Sequence, residues 1–287
     1  GGAVAIATPA GTVRGWVERP AAPPRARALF LHGWSGDRTG PHRMFVTAAR
    51  ALAARGVLSL RIDFSGRGES DGETSAASIA AMTGDARAAL DWLRRTAPGG
   101  SPLLLIAICS GCKVALSAAA AAPDVAALAL WSAESMGSLR SAATARRKTA
   151  AALKAYALKL TRRETWLKLL TGRVRAGMVA KALVRHETRS AQEAADEDAT
   201  LRRFRAFAGR ILFVFGGSDP DAAGSAAAYA AFCRRHGIRH DLHTVPHAGH
   251  SFYACDWERA VLERTTAFVD EVAGAAPQPA AAERTGG

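Results

Sequence analysis

The chain has 287 residues, of which 49% are hydrophobic and 22% charged, and it carries a formal net charge of +13. This composition excludes collagen-like and wholly disordered chains, and no apolar run reaches the roughly 20 residues that cross a bilayer. The excess of basic residues makes a nucleic-acid, membrane-surface or acidic partner a hypothesis to weigh.

Short apolar runs alternate with helical patterns through most of the chain. Strands are predicted over residues 28–31, 57–63, 102–108, 125–131, 211–215 and 240–245. Helices are predicted over residues 42–55, 79–96, 114–121, 222–236 and 257–272. Strands and helices that alternate at this spacing predict an α/β fold with a mostly parallel sheet covered by helices on both faces.

The strand signal disappears between residues 135 and 208. Apolar residues there recur at helical spacing, as at Leu153, Tyr156 and Leu160. We predict a helical cap inserted at residues 135–208, with a core made of residues 1–134 and 209–274. Residues 275–287 are small, polar and proline-containing, which predicts a disordered tail.

Four motifs follow predicted strands, where open α/β sheets build their sites. They are LHGWSG at 31–36, DFSGRGES at 63–70, AICSG at 107–111, and GSDP at 217–220 coupled to GHS at 249–251. In this order they resemble the α/β-hydrolase superfamily over about residues 10–274, apart from the cap. The resemblance implies an α/β-hydrolase fold and a catalytic triad.

The nucleophile is predicted from the steric demands of a sharp strand-to-helix turn. Such an elbow needs small residues two positions before and two positions after the nucleophile. Cys109 has Ala107 and Gly111 at those positions, whereas Ser110 has the β-branched Ile108 before it. Cys109 therefore fits, and a cysteine here is similar to dienelactone hydrolase and its relatives.

The resemblance also implies the other two triad members. Asp219 corresponds to the acid, with Asp221 in the same loop as its rival. His250 corresponds to the base, with His247 as its rival. The order of nucleophile, acid and histidine along the chain is that of the superfamily.

The remaining site residues are predicted from the superfamily pattern and from their places at strand ends. The backbone N–H groups of Trp34 and Ser110 are expected to form the oxyanion hole. Trp131 and Glu134 are candidates to contact the substrate, although packing explains the tryptophan equally well. The loop at 63–70 is expected to be structural.

Two alternatives use the cysteines differently. Cys109 and Cys112 form a C-x-x-C motif at a strand-to-helix junction, as in thioredoxin-like redox proteins, and Cys112 offers a partner that would silence Cys109. Cys233 and His236 would complete a zinc site with these two. The superfamily interpretation is favoured because it accounts for all four motifs, and it requires no metal or cofactor.

The predicted function is an enzyme that acts on an acyl ester, lactone or thioester through an acyl-cysteine, with bacterial secondary metabolism as one setting. The alternatives are an acyltransferase, an acetate-eliminating lyase as in tetronate biosynthesis, and a catalytically inactive scaffold. The expected partner is a small acyl substrate, free and anionic or bound to CoA or a carrier protein, attracted by the basic cap. No nucleic-acid or membrane partner is expected, and the four cysteines and absent signal-peptide pattern predict a cytoplasmic protein.

Overall fold

The computed structural model describes residues 1–97, 99–140 and 191–275. Eight strands form one sheet in the order β1-β2-β4-β3-β5-β6-β7-β8, with β3 to β8 parallel and β1 and β2 antiparallel at one edge. The strands are β1 Gly2–Thr8, β2 Gly11–Glu18, β3 Ala26–Leu31, β4 Val57–Ile62, β5 Leu103–Ile108, β6 Val125–Trp131, β7 Arg210–Gly216 and β8 Arg239–Val245. The predicted mostly parallel sheet is confirmed.

Helices cover both faces of this sheet, as predicted. They are α1 Met44–Ala54, α2 Ile79–Thr96, α3 Gly111–Ala119, α4 Ala191–Phe204, α5 Ala222–Arg235 and α6 Cys255–Ala275. One core layer joins α2, α3, α4 and α5 to the sheet, and the other joins α1 and α6. Strands β3, β4 and β5 are buried along their whole length, which explains their nearly continuous apolar sequence.

The antiparallel hairpin of β1 and β2 was not among the predicted strands. The two strands pair from Gly2 opposite Val17 to Thr8 opposite Gly11, and β2 continues the sheet by pairing with β4. Only one residue of β1, Ile6, is fully buried. The apolar pattern of β1 in the sequence is weak because its other residues are exposed or only partly buried. Among the described helices, none is long and apolar enough to cross a membrane.

The predicted cap is described only where it joins the core, at residues 135–140 and 191–208. Helix α4 lies there, and its Glu197 and Asp198 accept the backbone N–H groups of Gly137 and Ser138, at 2.5 and 2.7 Å. The chain segments that leave and re-enter the core are thereby tied together. Residues 141–190, with most of the predicted cap's basic side chains, and the tail at 276–287 lie outside the described residues.

Candidate functional site

A cavity of about 1140 Å³ opens at the carboxyl ends of the parallel strands. The segments that follow β3, β5, β6 and β8 form its floor, and α4 contributes a side wall. The predicted residues Trp34, Cys109, Ser110, Glu134 and His250 all line it. The sheet topology thus brings together residues up to 216 positions apart in the chain, as expected for an open α/β sheet.

Cys109 occupies the sharp turn between β5 and α3. Its φ of 57° lies in the left-handed region that residues other than glycine seldom adopt. A Cβ atom on Gly111 would collide with the carbonyl oxygens of Leu31 and His32, so only glycine lets α3 begin this close to β3. The turn therefore has the geometry of a nucleophile elbow with Cys109 at its apex, where the sulfur faces the cavity.

His250 connects a buried carboxylate to this cysteine. Its Nδ1 lies 2.8 Å from Oδ2 of Asp219, whose side chain is only 3% exposed. The hydrogen bond to Asp219, followed by the one to Cys109, raises the pKa of His250 to about 10. Ser132 fixes the histidine from behind, since its hydroxyl donates to the His250 carbonyl at 2.7 Å. These contacts leave the imidazole oriented between an acid and a thiol.

The rivals predicted for the acid and the base take other positions. His247 is exposed, and within the part of the chain that the structure describes it makes no hydrogen bond to Asp219. The backbone N–H of Asp221 donates to Oδ1 of Asp219 at 3.1 Å, which helps to hold that carboxylate. The structure thus brings Asp219 and His250 to Cys109.

The segment after β3 approaches Cys109 closely. A Cβ on Gly33 would lie 3.2 Å from that of Cys109, so glycine permits the approach. His32 Nε2 accepts the Phe64 N–H at 3.2 Å, and Nδ1 lies 2.7 Å from the Gly33 carbonyl, to which it donates. Burial lowers the pKa of His32, and both of its ring nitrogens are engaged by these two contacts, so the ring anchors the segment.

The backbone N–H of Trp34, predicted as an oxyanion donor, does not have the free orientation that the superfamily pattern implies. Its backbone N–H donates to the Ser110 hydroxyl at 2.7 Å and does not point freely into the cavity. Arg67 holds the same segment, because its Nε donates to the Trp34 carbonyl at 2.8 Å and its guanidinium lies over the indole ring. The backbone N–H of Ser110 has no acceptor among the described residues, as an oxyanion donor requires.

The glycine-rich loop after β4 supports this segment. Asp63 is fully buried and accepts the Arg38 N–H at 2.6 Å, the Arg38 guanidinium and the Glu69 N–H. A Cβ on Gly68 would collide with the Asp63 carboxylate. The loop therefore holds the chain beyond Trp34 in place, which agrees with the structural role predicted for this loop.

A charged cluster that includes two residues not predicted for the site, Lys113 and Glu197, also lies beside Cys109. Glu134 Oε1 accepts from the Cys109 thiol at 3.6 Å, and Glu134 Oε2 lies 3.1 Å from the Lys113 ammonium. Lys113, only 6% exposed, also pairs with Glu197 of α4 at 3.5 Å. The sequence signal for this cluster is a lysine one helical turn after Cys109, within the apolar run of α3.

Trp131 does not contact the cavity, so its prediction as a substrate residue is wrong. Its side chain is fully buried, packs on Phe45, and donates from the indole N–H to Thr265 at 3.0 Å. Among the residues that the structure describes, Trp34, 43% exposed, and Tyr253, 74% exposed, are the aromatic side chains that line the cavity. Packing is the role of Trp131.

The alternative cysteine sites find no support in the described geometry. Cys112 is buried and donates to the Trp131 carbonyl, and burial raises the pKa of its thiol well above the usual value. Cys233 is also buried in the core, where burial raises its thiol pKa to about 12. Within the described ranges, no three histidine, cysteine or acidic side chains gather as metal ligands.

Known proteins share this architecture. The model of a family described as the alpha/beta hydrolase family matches residues 28–263. Est1E from Butyrivibrio proteoclasticus, solved with ferulic acid bound, is 16% identical, with 94% of this chain and 99% of that chain covered and a TM-score of 0.65. Dienelactone hydrolase from Anabaena variabilis is 16% identical, with 94% and 96% covered and a TM-score of 0.63. A Pyrococcus furiosus esterase is 15% identical, with 94% and 90% covered and a TM-score of 0.65.

These structural likenesses concern the fold, because the sequence identities are low. A search of curated proteins by sequence finds no match to the chain. The fold is the α/β-hydrolase fold, as the family match and the structural neighbours agree.

Proposed function

Because the chain belongs to the alpha/beta hydrolase family, we propose that Cys109, His250 and Asp219 act as a triad that cleaves an acyl ester, lactone or thioester. The observation that carries this proposal is the position of His250, whose Nδ1 lies 2.8 Å from Oδ2 of the buried Asp219 and which lines the same cavity as Cys109. The family match and the esterase and hydrolase neighbours support an esterase-like enzyme.

In the proposed reaction His250 holds the proton of the Cys109 thiol as an imidazolium, which agrees with its raised pKa of about 10. The Cys109 sulfur attacks the carbonyl carbon, and the π electrons of the carbonyl move onto oxygen to give a tetrahedral oxyanion. When the oxyanion collapses, the bond to the leaving group breaks, and His250 gives that group its proton. Water, deprotonated by His250, then attacks the acyl-cysteine and releases the acid. Asp219 keeps the imidazole oriented through both steps.

The environment of His250 suits the acid half of this cycle. Its raised pKa, about 10, means that the imidazolium formed after deprotonation of Cys109 keeps its proton until the leaving group departs. Its carboxylate partner is buried and keeps the ring in one orientation. An exposed histidine such as His247 would lack that restraint.

The proposal is tested by intact mass spectrometry of the protein mixed with p-nitrophenyl acetate or an acyl thioester. The wild type should gain one acyl group, and Cys109→Ala should lose both the adduct and turnover. Cys255→Ala is the matched control, because Cys255 is an exposed cysteine at the start of α6. Full turnover by Cys109→Ala would refute the triad. Product formed in heavy-oxygen water separates hydrolysis, which incorporates the label, from transfer or elimination.

A further inference from the structure

The Ser110 side chain lies where the oxyanion hole is expected. It follows Cys109 directly, lines the cavity and is only 7% exposed. Its Oγ accepts the Trp34 N–H at 2.7 Å, so the hydroxyl lies between the two segments that the superfamily pattern assigns to the oxyanion hole. An oxyanion that replaced this contact would have to displace the hydroxyl first.

The hydroxyl has a hydrogen of its own to donate. A serine hydroxyl donates one hydrogen bond while it accepts up to two. Among the residues that the structure describes, its O–H has no protein acceptor, and neither does the Ser110 N–H. One residue therefore carries two hydrogen-bond donors that are unused by the protein, directly beside the reacting sulfur.

We propose that the Ser110 hydroxyl is a catalytic oxyanion donor, an inference that rests on the proposed function of Cys109. The hydroxyl and the Ser110 N–H both donate to the oxygen that gains charge when the sulfur attacks. The Trp34 N–H, which donates to Oγ, polarises the hydroxyl and strengthens its O–H as a donor. The Ser110 hydroxyl donates a hydrogen bond and keeps its proton. The bonds formed and broken in the proposed reaction are therefore unchanged.

This arrangement differs in a testable way from direct donation by Trp34. If Trp34 donates directly, the hydroxyl competes with the oxyanion for its N–H, and removing the hydroxyl should leave the rate equal or higher. If the hydroxyl is the donor, its removal withdraws one hydrogen bond from the transition state. Loss of one such donor typically lowers kcat by roughly 10²- to 10³-fold.

The test compares Ser110→Ala with Ser110→Thr, which keeps a hydroxyl, using p-nitrophenyl acetate. We expect kcat to fall about 100-fold in Ser110→Ala, with KM within about threefold of the wild type. Ser110→Thr should retain most of kcat. A kcat in Ser110→Ala equal to or above the wild type overturns the proposal in favour of direct donation by Trp34.

Two further measurements separate an oxyanion role from an effect on the sulfur or the turn. Carboxamidomethylation of Cys109 by iodoacetamide displaces iodide and develops no charge on a carbonyl oxygen, so its rate should be unchanged in Ser110→Ala. A trifluoromethyl ketone, which forms a tetrahedral adduct with the sulfur, should bind about 100-fold more weakly. Equal losses in alkylation and turnover would show that Ser110 merely shapes the elbow, and the proposal would fail.

Failure of the proposed function is visible elsewhere, in the wild type. A wild-type protein that forms no acyl adduct at Cys109 contradicts the triad whatever the Ser110 variants do. A wild-type adduct together with a fully active Ser110→Ala variant leaves the triad intact and removes only the hydroxyl donor.

Discussion

Two ion pairs flank Cys109 and face it with opposite charges. His250 and Asp219 lie 2.8 Å apart, and the imidazole stands between the carboxylate and the sulfur. Lys113 and Glu134 lie 3.1 Å apart, but here the carboxylate is next to the sulfur, at 3.6 Å, with the ammonium behind it. The same types of charge are thus arranged in reverse order on the two sides of the cysteine.

The order of the charges determines which kind of charge lies next to the sulfur. A positively charged imidazole attracts the negative charge of an attacking sulfur, whereas a carboxylate in the same place repels it. Glu134 therefore opposes the activation that His250 promotes. In the proposed mechanism, the histidine side therefore promotes attack by the Cys109 sulfur and the glutamate side restrains it.

The largest effect is expected from disrupting the histidine side. Asp219→Asn preserves the shape of the side chain but removes the charge that orients His250, so kcat/KM should fall by roughly 10⁴-fold. Steady-state hydrolysis of p-nitrophenyl acetate measures this. Asp221→Asn is the matched control and should lose less than about tenfold, because the backbone N–H of residue 221 still donates to Asp219. Similar losses in both variants would contradict the assignment of the acid.

A smaller, opposite effect is expected from the glutamate side. Glu134→Gln removes the negative charge next to the sulfur, so carboxamidomethylation of Cys109 at pH 7 should accelerate about tenfold. The rate is followed by mass spectrometry with iodoacetamide. Glu193→Gln, a change on α4 in the same cavity wall, is the control and should alter the rate little. A slower or unchanged rate in Glu134→Gln would show that Glu134 does not restrain the thiol.

The smallest effect concerns stability against pH. The pKa of His250 is raised from 6.5 to about 10, so its interactions stabilise the folded state fully below pH 6.5 and are lost as pH rises to about 10. Solvent screening of the part-exposed ring limits this to about 1 kcal/mol. We expect the Tm advantage of the wild type over His250→Gln to be about 2–4 °C larger at pH 6 than at pH 10. Thermal melts monitored by circular dichroism measure it, and an advantage that grows with pH would contradict the pairing.

The parallel part of the fold was predictable because the sheet is buried on both faces. Runs such as LLLIAI in β5 are fully apolar, and glycines or prolines mark where several of them begin or end. The β1–β2 hairpin gave no comparable signal, since exposed and part-buried residues alternate in β1 with only Ile6 buried. Two-sided burial, more than strand propensity, made β3 to β7 recognisable, whereas β8 was predicted although only its Val245 is buried.

The site was predictable to the extent that motifs fix backbone turns. The Ala107 and Gly111 spacing identified the turn at Cys109, but the nearly complete burial of β6 concealed which face Trp131 occupies. An apolar strand with no alternation does not reveal which of its side chains point toward α1 and α6. A sequence motif also does not specify side-chain rotamers. The contact of the Ser110 hydroxyl with the Trp34 N–H was therefore not predictable from the sequence.

The positive φ of Cys109 sets the chemistry proposed for this residue against the stability of the fold. A residue with a Cβ in the left-handed region costs of order 1 kcal/mol or more, a cost that glycine at the same place avoids. Selection for a durable fold alone would favour glycine at position 109. That the chain keeps a cysteine in this conformation means that its folded state gives up part of its stability, and substitutions that stabilise the protein are to be sought first at this proposed nucleophile.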